Sequence, residues 1–160
     1  MHDIIPCSNV EVKLPALRYS RRSLDFGAVF YTTTDFSQSE KWAKRITNVR
    51  QFGKPVISVY EIRDKDLDQL SILKFSSADI SWLKLVVKFR TELNFECNYD
   101  IITGPVANDR TVDVINQYIA GTYDDDIALR LLLPMQLKDQ WTLKTEKALS
   151  LLSWKELIVL

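Results

Sequence analysis

Asp25-Phe26-Gly27-Ala28-Val29-Phe30-Tyr31-Thr32-Thr33-Thr34 runs from a turn into a strand, and Gln38-Ser39-Glu40-Lys41-Trp42-Ala43 follows it with a helical pattern. Gly27 gives the turn its backbone freedom. Residues 29–33 are rich in the β-branched and aromatic types that suit a pleated surface. The helix is predicted over 37–49. Ser37 is the expected cap, Glu40 sits where a capping-box acid belongs, and Trp42, Ala43 and Ile46 supply one apolar face. An aromatic pair at the start of a strand, with Gly before it and small hydroxyls after it, forms a shelf for a flat ring.

Outward from this stretch, short strands and helices mix without βαβ regularity. Ile4-Ile5 opens a strand that Pro6 interrupts, residues 10–14 alternate weakly, and 15–27 are polar and basic. Strands are predicted at 55–62, 70–75, 99–103, 141–144 and 154–160. Asp64 to Asp68 is read as a polar turn. Further helices are predicted from Ser77 through Phe89, over 112–120 with Gly121 as a left-handed stop, from the Asp124-Asp125-Asp126 cap to Leu133, and over 145–152. No Gly-rich phosphate fingerprint occurs. The fold class that follows is α+β rather than doubly wound.

Composition narrows the function classes. The chain has 160 residues, 46 % hydrophobic and 26 % charged, which suits one compact domain spanning 1–160. Lys plus Arg and Asp plus Glu are both 21, so no global field favours nucleic acid or an acidic membrane. Local basic groups remain at Arg18, Arg21 and Arg22 and at Lys41, Lys44, Arg45 and Arg50. Cys7, Cys97 and a single His offer no metal framework, and reduced thiols are expected. The first residues lack a basic region and a long apolar run. The expectation is a cytoplasmic chain with no membrane span.

Several blocks then carry a family resemblance along nearly the whole chain. They are Ser8-Asn9-Val10-Glu11-Val12, Ser23-Leu24-Asp25-Phe26-Gly27, Phe30-Tyr31-Thr32-Thr33, Glu40-Lys41-Trp42-Ala43-Lys44 and Val59-Tyr60-Glu61. Tyr99-Asp100-Ile101-Ile102, Gly104-Pro105-Val106-Ala107-Asn108-Asp109-Arg110, Asp139-Gln140 and Lys144-Thr145-Glu146-Lys147-Ala148-Leu149 complete the set. In this order they resemble bacterial ADP-ribosyltransferase-like domains of unknown function, within the superfamily of diphtheria toxin and the poly(ADP-ribose) polymerases. The resemblance implies two packed, mostly antiparallel sheets with flanking helices and an NAD cleft. NAD would be the substrate. The implied partners are an acceptor protein or nucleic acid and, if the chain is the toxin of a toxin–antitoxin pair, a small antitoxin-like protein.

The resemblance also assigns residues. Tyr31 takes the place of the tyrosine that stacks on nicotinamide, with Phe30 and Thr33 beside it. Gln140 occupies the late-strand position of an acid that bonds the ribose; a Gln can make that bond without being a base or an anion. Ser8 matches the serine of a His-Gly-Ser motif, but Pro6-Cys7 replaces His-Gly, so Cys7 offers only backbone groups there. Val29 stands where a Gly is usual. Arg18 and Arg110 are candidates for the NAD phosphates.

Each residue also has a plainer role open to it. Tyr31 fits a cross-strand aromatic, Gln140 a surface or cap residue, Glu146 a helix-start acid, and Asn108 or Asp109 an N-cap. Three functions follow. The first is an NAD-dependent mono-ADP-ribosyltransferase. The second is a catalytically degenerate domain of the same fold that binds NAD, a protein or nucleic acid. The third is a nucleic-acid module using the 18–22 loop.

Overall fold

The computed structural model describes residues 1–6, 8–17, 25–27, 29–92, 95–106, 109–133 and 139–160. Within them the chain is a mixed α+β structure whose strands join in one sheet. Strand β1 (His2–Pro6) is the join. Its first part, His2 to Ile4, pairs with β3 (Val56–Ile62), whereas Ile5 and Pro6 pair with β2 (Phe30–Thr33). Pro6 has no N–H to donate to this second ladder.

On one side of this join lies a wing of β2, β6 (Asp139–Leu143), β5 (Ile101–Pro105) and β4 (Ile72–Lys74). On the other lie β3 and β7 (Ser153–Val159). The order is β4-β5-β6-β2-β1-β3-β7, and among the described residues only β4 and β5 run parallel. The expected mostly antiparallel pairing is present. In place of two sheets there is one seven-stranded sheet that changes partners midway along β1.

Local signals set most boundaries. Helix α1 (Phe36–Arg50) starts earlier than predicted, because Asp35 and not Ser37 caps it: its carboxylate accepts from the Gln38 amide at 3.2 Å. Glu40 pairs instead with Lys44 one turn on, at 2.6 Å. The expected polar turn at 64–68 closes into one helical turn, α2 (Asp64–Leu67). Asp79 caps α3 (Ile80–Thr91). Helix α4 (Asp109–Ile119) is followed by Gly121 at φ 75°, the left-handed stop the sequence suggested. Asp124 caps α5 (Asp125–Leu132) as expected, and Thr145 caps α6 (Glu146–Ser150).

The weak alternation at 10–14 does not make a strand. Side chains take the place of a ladder there: the Val12 amide donates to Ser58 Oγ at 2.9 Å, and the Tyr60 hydroxyl donates to the Val12 carbonyl. Burial and, secondarily, the nearby Glu11 push the Tyr60 hydroxyl up to about 12.

Among the described residues, three apolar clusters fill the fold. Trp82, Leu83, Val86 and Phe89 of α3 meet Ile102, Ile115 and Leu132 over one face of the first wing. Phe30, Ile101, Leu143 and Leu149 meet Ile4, Tyr60 and Ile62 on the other face. Ala43 of α1 packs on Ile5, Ile57 and Val59. Among the described residues no helix is long and apolar enough to cross a membrane, and no cluster of His, Cys, Asp or Glu suits a metal ion. Cys97 is a free thiol.

Candidate functional site

Alternation along a strand decides which of the candidate residues meet. Residues directly opposite one another on paired strands share a face. Tyr31 is opposite Thr142, and Thr142 is opposite Ile102. Gln140, two residues from Thr142, is on the same face and opposite Gly104, which adds no side chain. Thr33, two residues from Tyr31, completes the row. Tyr31 and Gln140 therefore come from neighbouring strands and point the same way, although 109 residues separate them in the chain.

This row is polar where its surroundings are apolar. Thr33, Thr142 and Gln140 are all buried. To one side α3 covers Ile102, and to the other α1 covers Ile5, the partner of Thr33. Gln140 donates from Nε2 to Thr142 Oγ1 at 3.1 Å. The Thr33 hydroxyl accepts from the Asp35 amide at 3.0 Å, linking the row to the start of α1. Buried polar groups need such partners, so the row is held in a defined arrangement.

Tyr31 is the most constrained member. Its hydroxyl accepts from the Phe26 amide at 2.9 Å and donates to the Gly27 carbonyl at 3.1 Å. Desolvation raises the hydroxyl well above the usual tyrosine range, so it stays protonated. The ring leans on the α3 cluster and is partly exposed. Beside it, the buried Asp25 and the partly buried Arg90 form an ion pair at 2.5 Å.

The other expected residues lie elsewhere. Phe30 points to the opposite face, where it is buried edge-on against Tyr60 at 6.3 Å. Ser8 Oγ accepts from the Val10 amide at 3.2 Å and closes a local turn. Cys7, Arg18, Arg21, Arg22 and Asn108 lie outside the described residues, as does the side chain of Arg110. His2 Nε2 is 3.0 Å from Asp64, and its ring meets Trp141, which alternates to the face away from Tyr31. An open groove of about 360 Å³ beside Lys13, Tyr60, Glu146 and Trp154 involves none of the row.

Sequence reasoning missed Thr142, Asp25 and Arg90 as working residues. Thr142 had a signal, since strand period puts it on the Gln140 face. Arg90 had none, because its partner is 65 residues away.

Within this α+β architecture, the chain matches the family described as "Protein of unknown function (DUF3990)" over residues 4–154. The protein belongs to that family. No curated protein and no solved structure matches the chain.

Proposed function

We propose that the protein is an NAD-dependent mono-ADP-ribosyltransferase of the diphtheria-toxin and poly(ADP-ribose) polymerase type. The observation that carries this reading is the row itself: an anchored tyrosine ring and a buried amide, Tyr31 and Gln140, on one face of adjacent strands. A ring fixed at its hydroxyl is a rigid surface for a flat aromatic ligand, and rigidity reduces the ordering cost of binding. In this reading nicotinamide stacks on Tyr31 and the Gln140 amide bonds a ribose hydroxyl. The bond from nicotinamide nitrogen to ribose breaks, nicotinamide leaves with the bonding pair, and an acceptor oxygen or nitrogen bonds to the ribose carbon and loses a proton. Positive charge grows on the ribose during this step. An oriented amide dipole at Gln140 stabilises it less than a carboxylate would.

A second reading keeps the fold without the turnover: a domain that binds NAD, a protein or nucleic acid. Gln140 favours it, because that amide is neutral, buried and already engaged with Thr142. Incubation with labelled NAD, with protein and nucleic-acid acceptors and with any antitoxin-like partner removed, separates the two. Transfer or NAD hydrolysis that falls at least about tenfold in Tyr31→Ala supports the enzyme. Calorimetric NAD binding without turnover supports the second reading, and loss of both binding and turnover in the parent sinks the NAD reading.

A further inference from the structure

The Asp25–Arg90 pair has no part in the chemistry above, yet it is placed to govern Tyr31. Asp25 is 5 % exposed and the following Phe26 is fully buried. The Asp25 carboxylate receives Arg90 Nη2 at 2.5 Å. The next two residues supply both partners of the Tyr31 hydroxyl, the Phe26 amide and the Gly27 carbonyl. Helix α3 thus holds the turn by its Arg90, and the turn holds the tyrosine. Phe89, the neighbour of Arg90, adds a second grip: its ring meets Phe26 edge-on at 5.9 Å. It also stands 3.5 Å from where a Gly27 side chain would begin. Gly27 itself is at φ 81°, a conformation other residues rarely adopt, so the turn cannot easily be rebuilt.

Burying an ion pair is costly, and a well-packed apolar pair of the same volume is often as stable or more so. Such a pair is justified by geometry more than by energy. Arg90 Nε is buried with no hydrogen-bond partner among the described residues, so the polar hold on Arg90 there runs through Nη2 to Asp25.

We propose that Arg90 and Asp25 are positioning residues for ligand stacking: the pair fixes the 25–27 turn, and the turn fixes the angle at which the Tyr31 ring meets a nicotinamide. This rests on the stacking role proposed for Tyr31. Rigid second-row support of this kind is what keeps a binding group in its productive geometry.

A double-mutant cycle tests it, with NAD as the probe and calorimetry as the readout on the full chain. Arg90→Gln weakens NAD binding about tenfold in the parent and less than about twofold in Tyr31→Phe, where the latch is already cut. Arg90→Lys, which keeps a cation opposite Asp25, stays within about threefold of the parent. A purely structural arginine would cost the same in both backgrounds, and that result overturns the proposal. If Arg90→Gln does not fold, Tyr31→Phe alone decides. That variant keeps the ring, so parent-like affinity overturns the proposal and a loss of about fivefold or more supports it. No NAD binding by the parent removes the underlying reading and the proposal with it. Binding by the parent with no effect of Tyr31→Phe or Arg90→Gln removes the proposal alone.

Discussion

Two carboxylates anchor polar clusters in the first wing, and they do so in opposite ways. Asp25 is buried, and its bond to Arg90 ties a turn before β2 to the end of α3. Asp100 sits nearer solvent and collects many small donors. Thr145 Oγ1 donates to it at 2.7 Å, the Ser71 amide at 3.0 Å and the Ser71 hydroxyl at 3.2 Å, with Lys147 at 3.8 Å. The Asp100 cluster closes joins that the chain makes anyway: the start of β4, the start of β5 and the cap of α6. Its loss is shared among replaceable bonds and water. At Asp25 the bond to Arg90 spans 65 residues of chain. The contrast teaches that a charge surrounded by hydroxyls and solvent secures local structure. A buried charge bonded to a guanidinium from a distant helix instead fixes one geometry between the two elements.

Breaking the buried pair gives the largest expected effect. Asp25→Ala leaves the Arg90 guanidinium in a site where Asp25 was its carboxylate partner. Removing one member of a buried pair costs about 3–5 kcal/mol. Urea denaturation of the parent and the variant measures it. A loss below about 1 kcal/mol would mean that solvent reaches Arg90 and that the two clusters are alike after all.

A smaller effect tests whether the sheet beneath the polar row is equally unforgiving. Gly104 faces Gln140 across the ladder at φ 155°, and an added Cβ would stand 2.8 Å from Phe75 Cβ. Both strain and clash act in Gly104→Ala, for a loss of about 2–3 kcal/mol. Gly121→Ala is the control. Its φ is 75° but nothing lies within 4 Å of the added carbon, so only the left-handed conformation is penalised, by about 1 kcal/mol. Equal losses in the two would remove the argument that β5 is tightly packed at the row.

Much of this was legible in the sequence, and the reason lies in how local the signals are. The cap at Asp124, the stop at Gly121 and the strand at Phe30 to Thr33 depend on neighbours within four residues. Even the miss at α1 was local: Asp35 outcompeted Ser37 two residues on. Strand period is the signal that separates Phe30 from Tyr31, and reading the two as one shelf overlooked it. The period could not say that β2 and β6 are neighbours, which is what brings Tyr31 to Gln140. That pairing, the change of partners along β1, and the meeting of Asp25 with Arg90 are long-range facts. A single chain carries no periodic trace of them. The exposed edge strand β7 is a milder case. Lys155 and Glu156 blunt it against further pairing, a feature visible only once its place at the edge is known.

The smallest expected effect concerns Asp100, and it distinguishes the clusters by pH. Burial works against the charge of this carboxyl. The bonds from Thr145 and Ser71 and the nearby Lys147 outweigh it, and they hold the group below the ordinary carboxylate range. A group whose folded value is depressed stabilises the fold fully above its unfolded value, near 3.8, and that contribution fades as pH falls through the lower folded value. Asp100→Asn keeps the shape and removes the charge, so at neutral pH it costs about 1 kcal/mol. The gap between parent and variant should hold down to about pH 5 and close as acid protonates the parent. Thermal unfolding of both proteins across that range gives the measurement. A gap that stays constant below the ordinary carboxylate range would show that the hydroxyl and amide donors never favoured the charged form. Asp100 would then act as a neutral acceptor does, and the difference between the two carboxylates would reduce to burial alone.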